Sequence, residues 1–345
     1  MTYYAGLDVG LRRTSICVVD ETGRQAHASE VATDAEVIVK ALAKLKRKQV
    51  TVGLETGQLS IFLTKALRAK GWKVVCMDAR QVAAALSTQV NKTDRNDARG
   101  IAHLLRCGLY REVHVKSDAA CDRRIVLASR RQLMTQVAGL ESTLRGLLKI
   151  HGVVLGPANR LAFLPRVRKV MKGLGDGART GLEALLSSLE HMRSVLASLD
   201  RQVRNGAKED ARSALLMTMP CVGPLTSTSL VTVLDDATRF KASRSVGAYL
   251  GLTPRQYASG ETQRQGRISR CGPAECRSML YEAAHCLLHF YKGPSHLKRW
   301  GERIAKKKGM KRAIVALARR MAVIMHRMLI TGEPFAAWLE RTAVA

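Results

Sequence analysis

Residues 91–100 read NKTDRNDARG. Two aspartates, Asp94 and Asp97, stand three residues apart among Lys92, Arg95 and Arg99. On a helix such a pair shares one face, about 5–6 Å apart. Two carboxylates that close repel each other unless a cation lies between them. The chain around them has 345 residues, with 57 Lys+Arg against 28 Asp+Glu and a formal net charge of +29. Acids gathered in so basic a chain need a reason, and the flanking elements supply one.

Upstream, YYAGLDVG (3–10), TSICVVD (14–20) and QAHASEVA (25–32) read as three strands, with DETG (20–23) turning the second into the third. DAEVIVKALAKLKRK (34–48) reads as a helix, VTVGLETG (50–57) as a short apolar strand, IFLTKALRAKG (61–71) as a helix and KVVCMDA (73–79) as a strand. One longer helix, from about residue 81 to 106, carries the opening stretch. Three antiparallel strands followed by alternating helix and strand is the element order of a ribonuclease-H-like fold. Actin-like ATPases open the same way, with an Asp-x-Gly on the first strand like that of GLDVG. That fold needs a second, similar half with its own phosphate loop, and no repeat of the first part is found.

Asp8 ends the first strand and Glu55 the fourth. In a ribonuclease-H-like sheet those strands are neighbours, and the last helix packs over the same end. Asp8, Glu55, Asp94 and Asp97 would then converge. Carboxylate oxygens suit Mg²⁺ or Mn²⁺. Two such ions about 3.5–4 Å apart stabilise the attacking and leaving oxygens of a phosphodiester exchange. Lys92 and Arg95 beside them would hold phosphates. The competing reading is structural: Asp8 as a turn residue, and Asp94 and Asp97 paired with Arg95 or Arg99 on a solvated helix.

A surplus of positive charge this large points to a polyanionic partner, with nucleic acid the default. A generally Arg-rich composition would contribute to it without excluding that reading. Aromatic residues are 4 % of the chain, too few for an interface built on base stacking, so phosphate contacts should dominate. From 259 to 345 there are 17 Lys+Arg and 6 Asp+Glu, densest in ERIAKKKGMKRA (302–313). Eight cysteines are irregularly spaced, no signal peptide precedes them and no apolar run is long enough for a membrane span. The expectation is a bacterial cytoplasmic protein with reduced thiols, acting at the nucleoid, with no membrane partner. Cys271, Cys276, His285 and His289 mimic a zinc finger on paper. PAECRSMLYEAAHCLLHF (273–290) reads as one unbroken helix, which puts Cys276 and His285 roughly 13 Å apart, too far for one zinc ion.

The second part, about 116–210, is helical. Leu133, Val137, Leu140, Leu144 and Leu147 recur at heptad spacing, as do Leu182, Leu185, Leu189, Met192, Leu196, Leu199 and Val203. A Gly- and Pro-bearing connector, 151–181, lies between. The two runs form a coiled coil, either as an antiparallel hairpin or between protomers. The third part starts near 211. LLMTMPCVGPLTSTSLVTVL (215–234) has the look of a helix-hairpin-helix, whose turn at Gly223 can present backbone N–H groups to a phosphate, or of an ordinary helix-to-helix turn.

GLDVG, LETG, NKTDRNDAR, MPCVGPLTSTSLV and YLGLTPRQYASGETQRQGRISRCG follow one another in order. Together they resemble the IS110 family of insertion-sequence transposases, and within it the IS1111-like group, over nearly the whole chain. The resemblance implies a RuvC-like domain at 1–115 with a DEDD metal site at Asp8, Glu55, Asp94 and Asp97. It implies a coiled-coil region at 116–210 and a small, mostly helical transposase domain at 211–345. The family's nucleophilic serine, in Tyr-x-Ser-Gly, falls on Ser259. The family also implies double-stranded donor and target DNA, a structured element-encoded guide RNA that pairs with both, and a homo-oligomer, dimer or tetramer. A serine alkoxide can conserve bond energy in a phosphoserine link. Arg255, Arg264, Arg267 and Arg270 flank Ser259 and would neutralise the developing charge. Ser269 competes by residue type alone. The alternatives are a RuvC-like metal nuclease or Holliday-junction resolvase without a covalent intermediate, and a non-catalytic nucleic-acid binder. Ser259 lies far along the chain from the acids, so the metal site of one protomer is expected to serve the serine of another.

Overall fold

The computed structural model describes residues 2–44, 49–87 and 89–335. It divides into two compact units, Met1–Lys116 and Ser117–Ala345.

The first unit is mixed α/β. β1 (Tyr3–Val9), β2 (Arg13–Val19), β3 (Gln25–Ala32), β4 (Val50–Glu55) and β5 (Lys73–Met77) form one sheet in the order β3-β2-β1-β4-β5. β1, β2 and β3 are antiparallel, while β4 joins β1 in parallel and β5 joins β4. The strands and their order along the chain are those expected from the sequence. Side chains alternate between the two faces. Ala5, Leu7, Ile16, Val18, Val52 and Leu54 pack on one face with α1 (Ala35–Ala43) and α2 (Ser60–Ala69). The residues of opposite parity, Tyr4, Gly6, Gly53 and Met77, face α3 (Ala79–Leu86) and α4 (Asp94–Cys107). Asp8 and Glu55 share that second parity, so their side chains project to the α4 side.

α4 lies directly on this face, against β1, β2 and β4. Gly6 permits it: a Cβ there would sit 2.1 Å from the Ala98 carbonyl oxygen and 2.4 Å from the Ala102 nitrogen. Ala98, Ile101, Ala102 and Leu105 are the buried stripe of α4. The single helix expected over 81–106 is in fact two. α3 ends at Leu86, and α4 starts afresh at Asp94 with Thr93 as its N-cap, its hydroxyl accepting from the Asn96 N–H. Ser, Thr and Asn compete locally for backbone hydrogen bonds and so favour caps and turns over helix interiors. Of the helix expected at 34–48, residues 45–48 lie outside the described residues, as does Thr88 of the 81–106 stretch.

The second unit begins with α5 (Asp118–Lys149), α6 (Arg160–Met171) and α7 (Asp176–Glu209). α5 and α7 pack against each other within the chain and run antiparallel, linked by Arg193–Glu141 at 2.6 Å and Arg130–Asp200 at 2.5 Å. The connector contains a helix the sequence did not suggest, α6, with Pro165 inside it. The buried row differs in phase from the expected one. On α7 it is Leu182, Leu186, Leu189, Arg193, Leu196, Val203 and Ala207, so Leu186 and Arg193 replace Leu185 and Met192. On α5, Leu148 is buried where Leu147 was expected. An apolar count skips Arg193 and Asp200, yet these two enter the interface because each finds a partner there.

The rest of the unit is α8 (Ala211–Leu216), α9 (Pro224–Leu234), α10 (Arg244–Tyr249), β6 (Pro254–Ser259), β7 (Thr262–Ile268), α11 (Ala274–His289), α12 (His296–Lys308) and α13 (Met310–Thr331). α9 is buried from Thr226 to Leu234 and packs against α5, α7, α8 and α11. β6 and β7 form a two-stranded antiparallel hairpin in a region expected to be mostly helical. α11 is unbroken, as expected, with Pro273 at its N-cap.

Candidate functional site

β1 and β4 run parallel in the register Gly6↔Gly53 and Leu7↔Leu54. The next step brings Asp8 and Glu55 side by side at the C-terminal ends of these two central strands. The first turn of α4 supplies Asp94 and Asp97 above them. Acids in a first helical turn are favoured by the helix dipole, so their position on α4 is structurally comfortable. Their neighbours are not. Burial, followed by the Asp94, Asp97 and Glu55 charges, pushes Asp8 up to about 6. Burial and then Asp97 push Glu55 above the usual carboxylate range. Lys92 pulls both the other way, so its ammonium lies within reach of the cluster.

The four acids expected from the sequence are therefore electrostatic neighbours. As they stand, no three Asp, Glu, His or Cys side chains among the described residues enclose a metal ion. The donor set is all oxygen and strongly anionic, which in kind fits a hard divalent cation. Arg95 turns to the side of the cluster. With Asp94, Ser15, Ser29 and Glu30 it lines a shallow depression over β2 and β3.

Ser259 ends β6 and pairs with Thr262 across a two-residue turn, Gly260–Glu261. Gly260 has φ +53°, a left-handed value that glycine adopts without strain. Every residue of β6 is exposed. Tyr257, Ser259, Thr262, Arg264 and Gly266 line one depression, with Arg264 directly across from Tyr257. Arg264 thus shares a face with Ser259. Arg267 lies beyond a register shift at the foot of the hairpin, where Pro254 pairs with Ile268. Arg255 lies at the foot of the hairpin, where it donates to the Ser269 carbonyl at 3.5 Å. Arg270, at φ +55°, donates its backbone N–H to Gly251. Of the four arginines expected around Ser259, the hairpin brings Arg264 to it and holds Arg255 and Arg270 at its base. The Ser269 hydroxyl accepts from the Cys271 N–H at 3.4 Å, a turn-stabilising role.

Gly223 is the N-cap of α9, with Pro224 at the first helical position and open space where a Cβ would be. The hairpin is the feature the sequence reading missed. Its one signal was Gly260, at the first position of a two-residue turn. Lys306, Lys307, Lys308, Lys311 and Arg312 are exposed where α12 meets α13. No helix among the described residues is long and apolar enough to cross a membrane.

Comparison with known proteins extends this geometry. One family model, for DEDD transposases of the IS110 type, matches residues 5–152, which include all four acids. A second, described as the IS116/IS110/IS902 transposase family, matches residues 213–301, which include Ser259. The chain is 26 % identical over 334 residues to the transposase for insertion sequence element IS1111A of Coxiella burnetii, covering 96 % of this chain and 90 % of that protein. It is 27 % identical to a probable family 20 transposase of Pseudomonas aeruginosa, over 69 % of this chain and 72 % of that one. A pilin gene-inverting protein of Moraxella lacunata is 29 % identical over 43 % of this chain and 47 % of its own length. With two models of one family spanning more than half of its residues and a relative aligned along nearly all of it, the chain belongs to the IS110 family of insertion-sequence transposases.

Proposed function

We propose that this transposase cuts and rejoins double-stranded DNA through a phosphoserine intermediate on Ser259, assisted by a Mg²⁺ or Mn²⁺ site at Asp8, Glu55, Asp94 and Asp97. The first unit is read as a ribonuclease-H-like, RuvC-like domain on its strand order. The observation that carries the reading is the gathering of four acids at the ends of two neighbouring strands, where burial first and repulsion by the other carboxylates after it raise Asp8 to about 6. A bound divalent cation would relieve that repulsion and stabilise charge on the attacking and leaving oxygens.

In this mechanism Ser259 Oγ bonds to phosphorus as the P–O bond to the deoxyribose breaks. The serine proton is lost and the leaving oxygen gains one. A second DNA hydroxyl reverses the step at a new joint, so the strand is resealed without ATP. Arg264, on the face of Ser259, neutralises charge on the phosphate oxygens. Lys92 and Arg95 beside the acids, Arg255, Arg267 and Arg270 on the hairpin, and the α9 N-terminus at Gly223 hold more of the backbone. The net charge of +29 supports polyanionic partners, which we read as donor DNA, target DNA and a guide RNA that selects both. The working form is a homo-oligomer.

A second reading, a metal nuclease that uses the acids and not Ser259, has one observation in its favour: the acids belong to one compact unit and Ser259 to the other. Denaturing the protein after incubation with Mg²⁺, its co-purified RNA and labelled junction DNA separates the two. Labelled protein that is absent in Ser259→Ala supports the serine mechanism. Cleaved DNA with no labelled protein supports the nuclease.

A further inference from the structure

The arginines that stand among the acids do not neutralise them. On a merely solvated helix, Asp94 and Asp97 would pair with Arg95 or Arg99. In the first unit Arg13, Arg68, Lys70 and Arg80 each find a carboxylate. Arg95, Arg99 and Arg106 of α4 find none among the described residues.

These three share one side of the helix. At 3.6 residues per turn, positions 95, 99 and 106 fall within about 40° of one line along α4. The buried stripe of Ala98, Ile101, Ala102 and Leu105 lies to one side of that line, and Asp97 lies beyond the stripe. Asp97 and the arginines therefore leave opposite flanks. Asp97 looks toward β4, where its charge acts on Glu55. The arginines look toward β2 and β3. Arg95 lines the depression with Ser15 of β2 and Ser29 of β3. The Arg99 charge reaches Cys17 of β2. Arg106 donates to the Glu21 carbonyl, in the β2–β3 turn, at 3.2 Å. The three thus follow β2 from the acids to its far end, about 16 Å by helical rise.

That line borders an open shelf. β3 is the outer strand of the sheet, and no further strand covers it among the described residues. The carboxylates on this side are engaged: Glu30 with Arg13, Asp20 with the Thr22 and Arg24 N–H groups, and Glu21 with the Thr2 N–H. The positive field is left uncompensated. His103, on the same flank, registers it: burial first, then Arg99 and Arg106, hold its ring below the ordinary imidazole value. Arg95 and Arg99 are exposed and Arg106 is half-buried. The rise from Arg95 to Arg99 is about 6 Å, of the order of the separation between neighbouring phosphates on one strand.

We infer that the Arg95–Arg99–Arg106 stripe of α4 and the β2–β3 face beside it carry the cut DNA strand away from the acids, its phosphates seated on the three guanidinium groups. A planar guanidinium fork suits phosphate oxygens. DNA is favoured over RNA because the track begins at the first turn of α4, beside Asp94, and so continues from the place of cutting. The inference rests on the proposed reading of the four acids as that place. It makes Arg99 and Arg106 positioning residues. Contacts to phosphate alone hold a strand without regard to its sequence.

The test is equilibrium binding of the full chain, stripped of RNA, to labelled junction DNA in magnesium-free buffer over a range of salt, where no cutting is needed. Each lost phosphate contact flattens the log–log salt dependence by about 0.9. Arg99→Ala, at a position already open to water, should flatten it by about one such contact with the melting temperature unchanged. Arg99→Ala with Arg106→Ala should flatten it by about two. Arg99→Lys with Arg106→Lys keeps both charges and should keep the wild-type slope. Azidophenacyl groups placed on single DNA phosphates beside the cut site should crosslink to peptides of α4. A wild-type slope in Arg99→Ala overturns the inference, as do crosslinks that reach α4 from RNA phosphates and not from DNA. Slopes as expected in a chain that never cuts DNA reject the acids as the place of cutting and leave the track. An unchanged slope in a chain that does cut rejects the track alone.

Discussion

At the residue scale the metal-dependent reading turns on Asp8. Its folded value of about 6 lies above the ordinary 3.8, so the native state holds a proton that the unfolded state releases. Through this group the metal-free chain is most stable below pH 4, loses stability as pH rises to about 6, and carries the full penalty above that. Asp8→Asn should raise the melting temperature of the metal-free chain at pH 7.5 and abolish any stabilisation by added Mg²⁺. Thermal melts with and without Mg²⁺ check both. A second residue-scale prediction concerns Gly6, where a methyl group would enter the α4 backbone. Gly6→Ala should cost about 3 kcal/mol, read by urea unfolding. That the four acids would lie together was legible in the sequence, because Asp8 and Glu55 end strands of one sheet and Asp94 and Asp97 share one helical turn. Which arginine shares the Ser259 face was not. That depends on the β6–β7 register, which pairs Tyr257 with Arg264, and Gln, Arg and Gly on an exposed hairpin carry no apolar alternation to set it.

At the scale of elements, the long helices show how a correct pattern can mark the wrong contact. The periodicity of α5 and α7 was plain, and their antiparallel packing was one of two readings left open by the connector. The buried phase was hidden because Arg193, 7 % exposed, lies inside it and is held by Glu141 and by the Arg160 carbonyl. Removing one partner leaves the other charge in poor solvent. Arg193→Leu should cost about 2 kcal/mol, less than for a fully buried pair because Glu141 keeps some water. Arg193→Leu with Glu141→Leu should recover most of it, since apolar pairs of similar volume often replace buried ion pairs without loss. Denaturant unfolding of the single and double variants checks this. The same logic explains the break between α3 and α4. Thr93 caps a new helix there, and the apolar periodicity on either side had hidden the stop.

At the scale of the whole molecule, the acids belong to one compact unit and Ser259 to the other. The strand order of the first unit was readable because each strand is bounded by turn signals and each helix by an apolar stripe. The hairpin of the second unit was not, being short and exposed on both faces. If acids and serine serve each other across protomers, mixing Asp8→Ala chains with Ser259→Ala chains should restore some cleavage that neither shows alone, scored on labelled junction DNA. The measurement that bears most directly on the central claim is the covalent adduct. Wild-type protein with Mg²⁺, any RNA that co-purifies with it and labelled junction DNA, once denatured, should carry label that survives in Ser269→Ala and disappears in Ser259→Ala. Cleaved DNA with no labelled protein, or label retained in Ser259→Ala, would contradict the account.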